Sequence, residues 1–127
     1  VDAQDAAERL KVAQTHINEI RERLAHDPND VNMLNDLAWM LATNSHESIR
    51  NAKEALLLAE KVNSIMRGKS PEVLDTLAAA YAENGNFKKA ISTIKQAISL
   101  VADDEAKVAQ LNVYLKLYEK GQPYREG

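Results

Sequence analysis

The sequence predicts an all-α fold, and three observations support that prediction. First, apolar residues recur at intervals of three and four positions, which is the spacing of one helix face and not the alternation of a β-strand. Second, the pattern of residues 34–41 returns 40 positions later, and that of residues 52–62 returns 38 positions later. Third, the glycines and prolines fall where these helices should begin or end. Two helices therefore recur in the same order within one domain, residues 1–127.

The segment 1–30 is expected to form a long N-terminal helix that ends in a partial repeat. Its apolar residues alternate spacings of three and four over three heptads, which is typical of a helix that packs along another helix. The chain's own first hairpin is the favoured partner, because a short seam with few large apolar residues makes a weak coiled coil. A second copy of the chain, giving a homodimer, is the alternative. The main residues of the seam are Leu10, Ala13, Ile17, Ile20 and Leu24.

Two helical hairpins and a final helix are predicted to follow. The first hairpin spans residues 31–66 and carries two extra residues in its turn, while the second spans residues 71–104. Residues 105–120 form the last helix, whose apolar stripe faces inward and whose charges keep the outer face solvated. Because the connections are only a few residues long, consecutive helices should lie side by side and antiparallel.

Helix ends are indicated by residues that favour capping. Ser70, Asn86 and either Asp103 or Asp104 are expected to be N-caps, because their side chains accept hydrogen bonds from the first free backbone N–H groups of a helix. Gly85 can adopt the left-handed conformation that ends a helix. These positions coincide with the boundaries that the apolar spacing predicts.

Residues 71–104 resemble the tetratricopeptide repeat, a unit of two antiparallel helices, and residues 31–66 fit the same pattern apart from the extra turn residues. The resemblance implies a superhelical stack of hairpins in which residues 105–120 are the C-terminal capping helix. Similar repeat blocks end large bacterial proteins, which implies a bacterial source. The residues that carry the resemblance in the second hairpin are Leu74, Leu77, Ala78, Tyr81, Gly85, Phe87, Ala90, Ile94 and Ala97.

Composition disfavours several classes of partner. A net charge of −3 is poorly suited to a nucleic-acid backbone, so no nucleic acid is expected. No apolar run approaches the roughly 20 residues that span a bilayer, and no membrane contact is expected of this fragment. The sequence indicates a soluble fragment of the cytoplasm or the periplasm, and the absence of cysteine does not distinguish these compartments. Because it opens on Val1, we expect processing or a longer parent protein.

Catalysis is not expected, and neither a cofactor nor a bound metal is predicted. The three histidines, His16, His26 and His46, have no spacing that would pair them as metal ligands. The tripeptide 68–70 matches the end of a phosphate-binding loop, but Asn63 stands where that motif needs its first glycine. The sequence therefore favours a non-catalytic scaffold or adaptor that acts by protein–protein contact.

The resemblance also implies a binding surface, because the first helix of each hairpin lines the concave side of such a stack. That surface is acidic in its middle, so a protein or peptide segment carrying Lys or Arg beside an apolar residue is the expected ligand. The alternative is that these acids only keep an exposed face soluble. The predicted groove residues are Asn32, Asn35, Asp36, Trp39, Glu72, Asp75, Ala79, Glu83, Val113 and Lys116.

Trp39 has two interpretations. It is either a buried wedge against the N-terminal helix, which we favour, or an exposed anchor for a ligand in the groove. The runner-up function is self-association through the seam of the N-terminal helix, which would leave the groove empty.

Overall fold

The computed structural model describes residues 3–126, and within them it contains six α-helices and a single isolated β-bridge. The all-α prediction is confirmed. Consecutive helices are joined by short turns, the longest being the segment between α2 and α3. The helices are α1 Ala3–His26, α2 Val31–Thr43, α3 Ala52–Ile65, α4 Pro71–Glu83, α5 Phe87–Leu100 and α6 Glu105–Glu119.

Each helix after α1 begins at a side-chain cap. The three N-caps expected from the sequence are confirmed, with Asp104 rather than Asp103 starting α6. In every case the cap oxygen accepts a hydrogen bond from the backbone N–H three residues on, at 3.1–3.3 Å. Local sequence therefore determines where these helices start. The caps are Asp30, Asn51, Ser70, Asn86 and Asp104.

The helices pack in an order that follows the chain. α2 packs against α3 and α4 against α5, while α3 and α2 both contact α4 and α5 contacts α6. Alanines are fully buried on these faces, where a small side chain lets two helix backbones approach closely. Larger residues such as Leu37, Leu74 and Ile94 fill the space between them. The buried alanines include Ala38, Ala55, Ala59, Ala78, Ala80, Ala90 and Ala97.

α1 lies along the start of this core and packs against α2. Ile17 and Ile20 are 3% and 2% exposed, and Leu10, Ala13 and Leu24 pack against the same cluster. The apolar seam of α1 is thus occupied by the chain's own helices in this structure. Arg21 holds α1 to α3 through two hydrogen bonds to Glu54, at 2.7 and 2.9 Å.

α6 ends in a turn that sends the chain back across the molecule. Gly121 has a positive φ of 69°, and the N–H of Gln122 donates to the carbonyl oxygen of Leu117 at 2.9 Å. This helix end reverses the chain direction, and residues 122–126, called the tail below, then run to the C-terminal end of α2.

Candidate functional site

A cavity of about 590 Å³ lies between α1, α2, α4 and the end of the tail. It is called the acidic cavity below. A volume of this size falls within the range of small-ligand and peptide sites. Its lining residues are His16, Asn35, Asp36, Trp39, Met40, Thr43, Asn44, Glu72, Asp75, Thr76 and Glu126.

The charges of the acidic cavity have one sign. Asp36, Glu72, Asp75 and Glu126 supply four carboxyl groups, and among the described residues that line the cavity none is lysine or arginine. Trp39 and Met40 contribute apolar surface on α2. Carboxyl groups close to low-dielectric walls create a negative potential that attracts cations.

Asp75 is the most perturbed group of the cavity. Burial and, to a smaller extent, the nearby charges of Glu72 and Glu126 together raise its pKa from 3.8 to about 7. Its Oδ1 atom is buried without a hydrogen-bond partner, as is the Oδ1 atom of Asn35 across the cavity on α2. These two buried acceptors can both receive hydrogen bonds from a ligand that carries donors.

A third unpartnered group lies on the α6 side of Asp75. The hydroxyl group of Tyr118 is buried without a partner, and its pKa is raised by burial and by the charge of Asp75. α6 therefore helps to shield Asp75 from water, although this helix begins thirty residues after it in the chain.

The tail occupies the end of the surface formed by α2 and α4. Tyr124 lies against two aromatic rings, with centroid distances of 4.6 Å to Tyr114 and 5.8 Å to Trp39. Arg125 forms an ion pair with Glu83. The backbone N–H of Glu126 donates to the carbonyl oxygen of Thr43 at 2.7 Å. Three consecutive tail residues thus make one aromatic, one ionic and one backbone contact.

Trp39 matches neither of its two interpretations completely. It is half-buried and packs against the core cluster that includes Ile17 and Ile20, yet its neighbouring rings are Tyr114 and Tyr124. It also lines the acidic cavity. Trp39 therefore packs from α2 against α6 and the tail and keeps one part at the cavity surface.

Five of the ten predicted groove residues line the acidic cavity, namely Asn35, Asp36, Trp39, Glu72 and Asp75. Asn32 is exposed and lies outside the lining.

Ala79 is a correction to the prediction on α4, whereas Glu83 lies outside the acidic cavity but contacts the tail. Ala79 is 2% exposed because it faces the core, so it cannot contact a partner. Glu83 is engaged by Arg125 and, at 3.3 Å, by Arg50. Its carboxylate is therefore already neutralised within the chain.

Val113 and Lys116 lie on the exposed side of α6, outside the acidic cavity. The helix buries Leu111, Tyr114 and Tyr118, which turns Val113, 57% exposed, by about 100° away from the buried face. Lys116 is likewise exposed, and neither residue lines the acidic cavity.

Six further residues line the acidic cavity: the resemblance also places Thr43 and Thr76 on the concave side, and sequence reasoning missed the other four. His16 of α1, Met40 of α2, Asn44 after α2 and Glu126 of the tail all line the acidic cavity. Met40 follows Trp39 on the same helix and was detectable from its position. The other three come from segments whose approach to the cavity depends on the tertiary fold.

Neither a membrane segment nor a metal centre is evident among residues 3–126. None of the helices there combines the length and the apolar character needed to cross a bilayer. In the same part of the chain, no three acidic, histidine or cysteine side chains are grouped so as to hold a metal ion. No protein-family model, curated protein or solved structure matches this chain.

Proposed function

We propose that this chain is a tetratricopeptide-like scaffold or adaptor that binds a protein segment carrying Lys or Arg beside an apolar residue. The acidic cavity is the proposed binding site. The single observation that carries the proposal is the composition of that cavity: four carboxyl groups next to Trp39 and Met40, with no cationic side chain among the described lining residues.

The packing order of the helices supports a repeat architecture. α2 pairs with α3, α4 pairs with α5, and α2 also contacts α4, which is the arrangement expected of two stacked hairpins. In such a stack the first helices lie next to each other and form a continuous surface. The acidic cavity lies along those two helices, α2 and α4.

The energetics of Asp75 favour a cationic ligand. The buried carboxyl group has an unpartnered oxygen, and its pKa is raised to about 7, so its ionised form is disfavoured in the free protein. A lysine or arginine that donates to this oxygen would replace the lost hydration and lower the pKa again. A cation is therefore expected to bind more favourably beside Asp75 than beside an exposed carboxylate.

Peptide binding to charge-reversed variants tests the proposal. Acetylated peptides containing Lys or Arg next to Leu are titrated against the wild type and against the variant Glu72→Lys, Asp75→Lys. Reversal of two of the four charges should weaken binding at least about tenfold. The matched control, Glu105→Lys with Glu119→Lys, makes the same change of net charge on exposed positions of α6 and should bind like the wild type. Equal binding by both double variants would contradict the proposal.

Self-association through α1 stays an alternative prediction. It requires Ile17 and Ile20 to leave the core, where both are almost fully buried. Sedimentation over a wide concentration range separates the two functions. A dimer that disappears in the variant Ile17→Lys, Ile20→Lys, with the helical content retained, would favour self-association over the scaffold proposal.

A further inference from the structure

The tail lies on the surface of α2 and α4 as a short extended segment. Its three contacts are of the kinds by which proteins recognise extended peptides: an aromatic anchor between rings, an ion pair and a backbone hydrogen bond. The bridge between Asn44 and Glu126 runs parallel, so the tail follows the chain direction there. The tail therefore indicates which side chains this surface binds and in which order they follow one another along a peptide.

The last of the three positions is poorly matched. Glu126 lines the acidic cavity together with Asp36, Glu72 and Asp75, and its exposed carboxylate also interacts with the side chain of Tyr124. Its charge is one of the causes that raise the pKa of Asp75. Like charges in one cavity repel, and this repulsion opposes the contacts of Tyr124 and Arg125. A segment with a cation at this position would fit the same surface better than the tail does.

From this arrangement we infer that the ligand is an extended protein segment with an aromatic residue, an arginine and a second basic residue in succession, and that it displaces the tail. The aromatic ring takes the place of Tyr124 between Trp39 and Tyr114. The arginine pairs with Glu83, and the second basic residue enters the acidic cavity in place of Glu126. The inference rests on the proposed function, because it specifies the ligand of the same site.

Displacement is feasible because the tail is held by few contacts. A segment tethered by a short flexible link has an effective concentration in the millimolar range. A free ligand therefore displaces the tail when its concentration divided by its intrinsic dissociation constant exceeds the same ratio for the tail. The apparent dissociation constant of the free ligand is the intrinsic value divided by the fraction of molecules whose tail is undocked. Releasing the tail by mutation should therefore tighten binding of the free ligand.

Fluorescence of Trp39, the only tryptophan of the chain, reports occupancy of the site directly. Four capped peptides are titrated into the chain of residues 1–127. They are Gln-Pro-Tyr-Arg-Lys, the tail-like Gln-Pro-Tyr-Arg-Glu, Gln-Pro-Ala-Arg-Lys without the ring, and Gln-Pro-Leu-Lys-Lys as a basic and apolar comparison. Each is tested on the wild type, on the tail-released variant Tyr124→Ala, Arg125→Ala, and on Lys116→Ala, which removes an exposed cation of α6 outside the site.

The first peptide should bind the tail-released variant at least about tenfold more tightly than it binds the wild type or Lys116→Ala. On that variant it should also bind at least about tenfold more tightly than the tail-like peptide, because lysine replaces a carboxylate among carboxylates. The peptide without the ring should lose a similar factor. The ranking of the four peptides on the wild type gives the same comparison if the variant does not fold.

Equal binding of the lysine and glutamate peptides would overturn the inference. Binding of the leucine peptide as tight as that of the first peptide would also overturn it and leave the proposed function standing. Failure of every basic peptide to bind would refute both. A wild-type dimer that Tyr124→Ala converts to a monomer would overturn the inference as well, because the tail would then exchange between copies.

Discussion

Replacing Asp75 with asparagine should stabilise the protein at neutral and alkaline pH. The folded protein holds the proton of Asp75 up to about pH 7, because burial raises its pKa from 3.8. Between these two pH values the unfolded chain releases the proton and the folded protein keeps it. The contribution of Asp75 to the free energy of unfolding therefore falls as the pH rises from about 4 to about 7, and it is constant outside that window.

The magnitude follows from the two pKa values. Their difference is about three pH units, and each unit corresponds to about 1.4 kcal/mol, so ionised Asp75 costs about 4 kcal/mol above pH 7. Asparagine carries no charge but still buries a polar group, which cancels part of the gain. We expect Asp75→Asn to raise the free energy of unfolding by about 2 to 4 kcal/mol at pH 8 and by less than about 1 kcal/mol at pH 4.

Urea denaturation followed by far-ultraviolet circular dichroism at pH 4, 6 and 8 measures this effect. The control is Asp36→Asn, which removes a carboxyl group of the same cavity from an exposed position and should change stability little at any pH. A stabilisation by Asp75→Asn that is the same at pH 4 and pH 8 would refute the argument that burial of the ionised carboxylate is the cause. A loss of stability at pH 8 would refute it as well.

Three further substitutions test the packing that positions the site. Ile20→Ala should lower the free energy of unfolding by about 2 to 4 kcal/mol in urea denaturation, because the residue is 2% exposed, whereas a loss below about 1 kcal/mol would mean that α1 is not docked. Arg21→Ala should cost about 0.5 to 1 kcal/mol at low salt and less at high salt, because its pair with Glu54 is partly exposed. That cost should also shrink as the pH falls below about 4, since the hydrogen bond from Arg21 lowers the pKa of Glu54; a constant cost would argue against the pair. Trp39→Ala should lower the free energy of unfolding by about 2 to 3 kcal/mol. It should also release Tyr124 from its ring contact, which would be measured as faster proteolysis of the tail. An unchanged stability would mean that Trp39 is purely a ligand anchor.

The helices could be predicted because their signals are local. The side chains of Ser70, Asn86 and Asp104 cap backbone groups only three residues away, so the sequence near each boundary is sufficient. The buried alanines were also predictable, since Ala78 and Ala97 fall on the recurring apolar face.

The position of α6 relative to the acidic cavity could not be predicted in the same way. Apolar or aromatic residues occupy positions 108, 111, 113, 114, 115, 117 and 118, so they cover most of the helix circumference and more than one stripe fits the spacing. Contacts with α5 and with Trp39 select the face that carries Tyr114 and Tyr118. This choice determines that Val113 and Lys116 point away from the acidic cavity.

The sequence alone determined an all-α chain, the starts of α4, α5 and α6 and an acidic stretch that includes Glu72 and Asp75. Only the tertiary structure decided that Asp75 is buried, that Trp39 packs against the rings of Tyr114 and Tyr124 and that the tail returns to α2. The reason is the range of the interactions. Helix spacing and capping act over three or four residues, whereas burial of Asp75 and docking of the tail depend on side chains more than thirty positions away, whose approach no local pattern encodes.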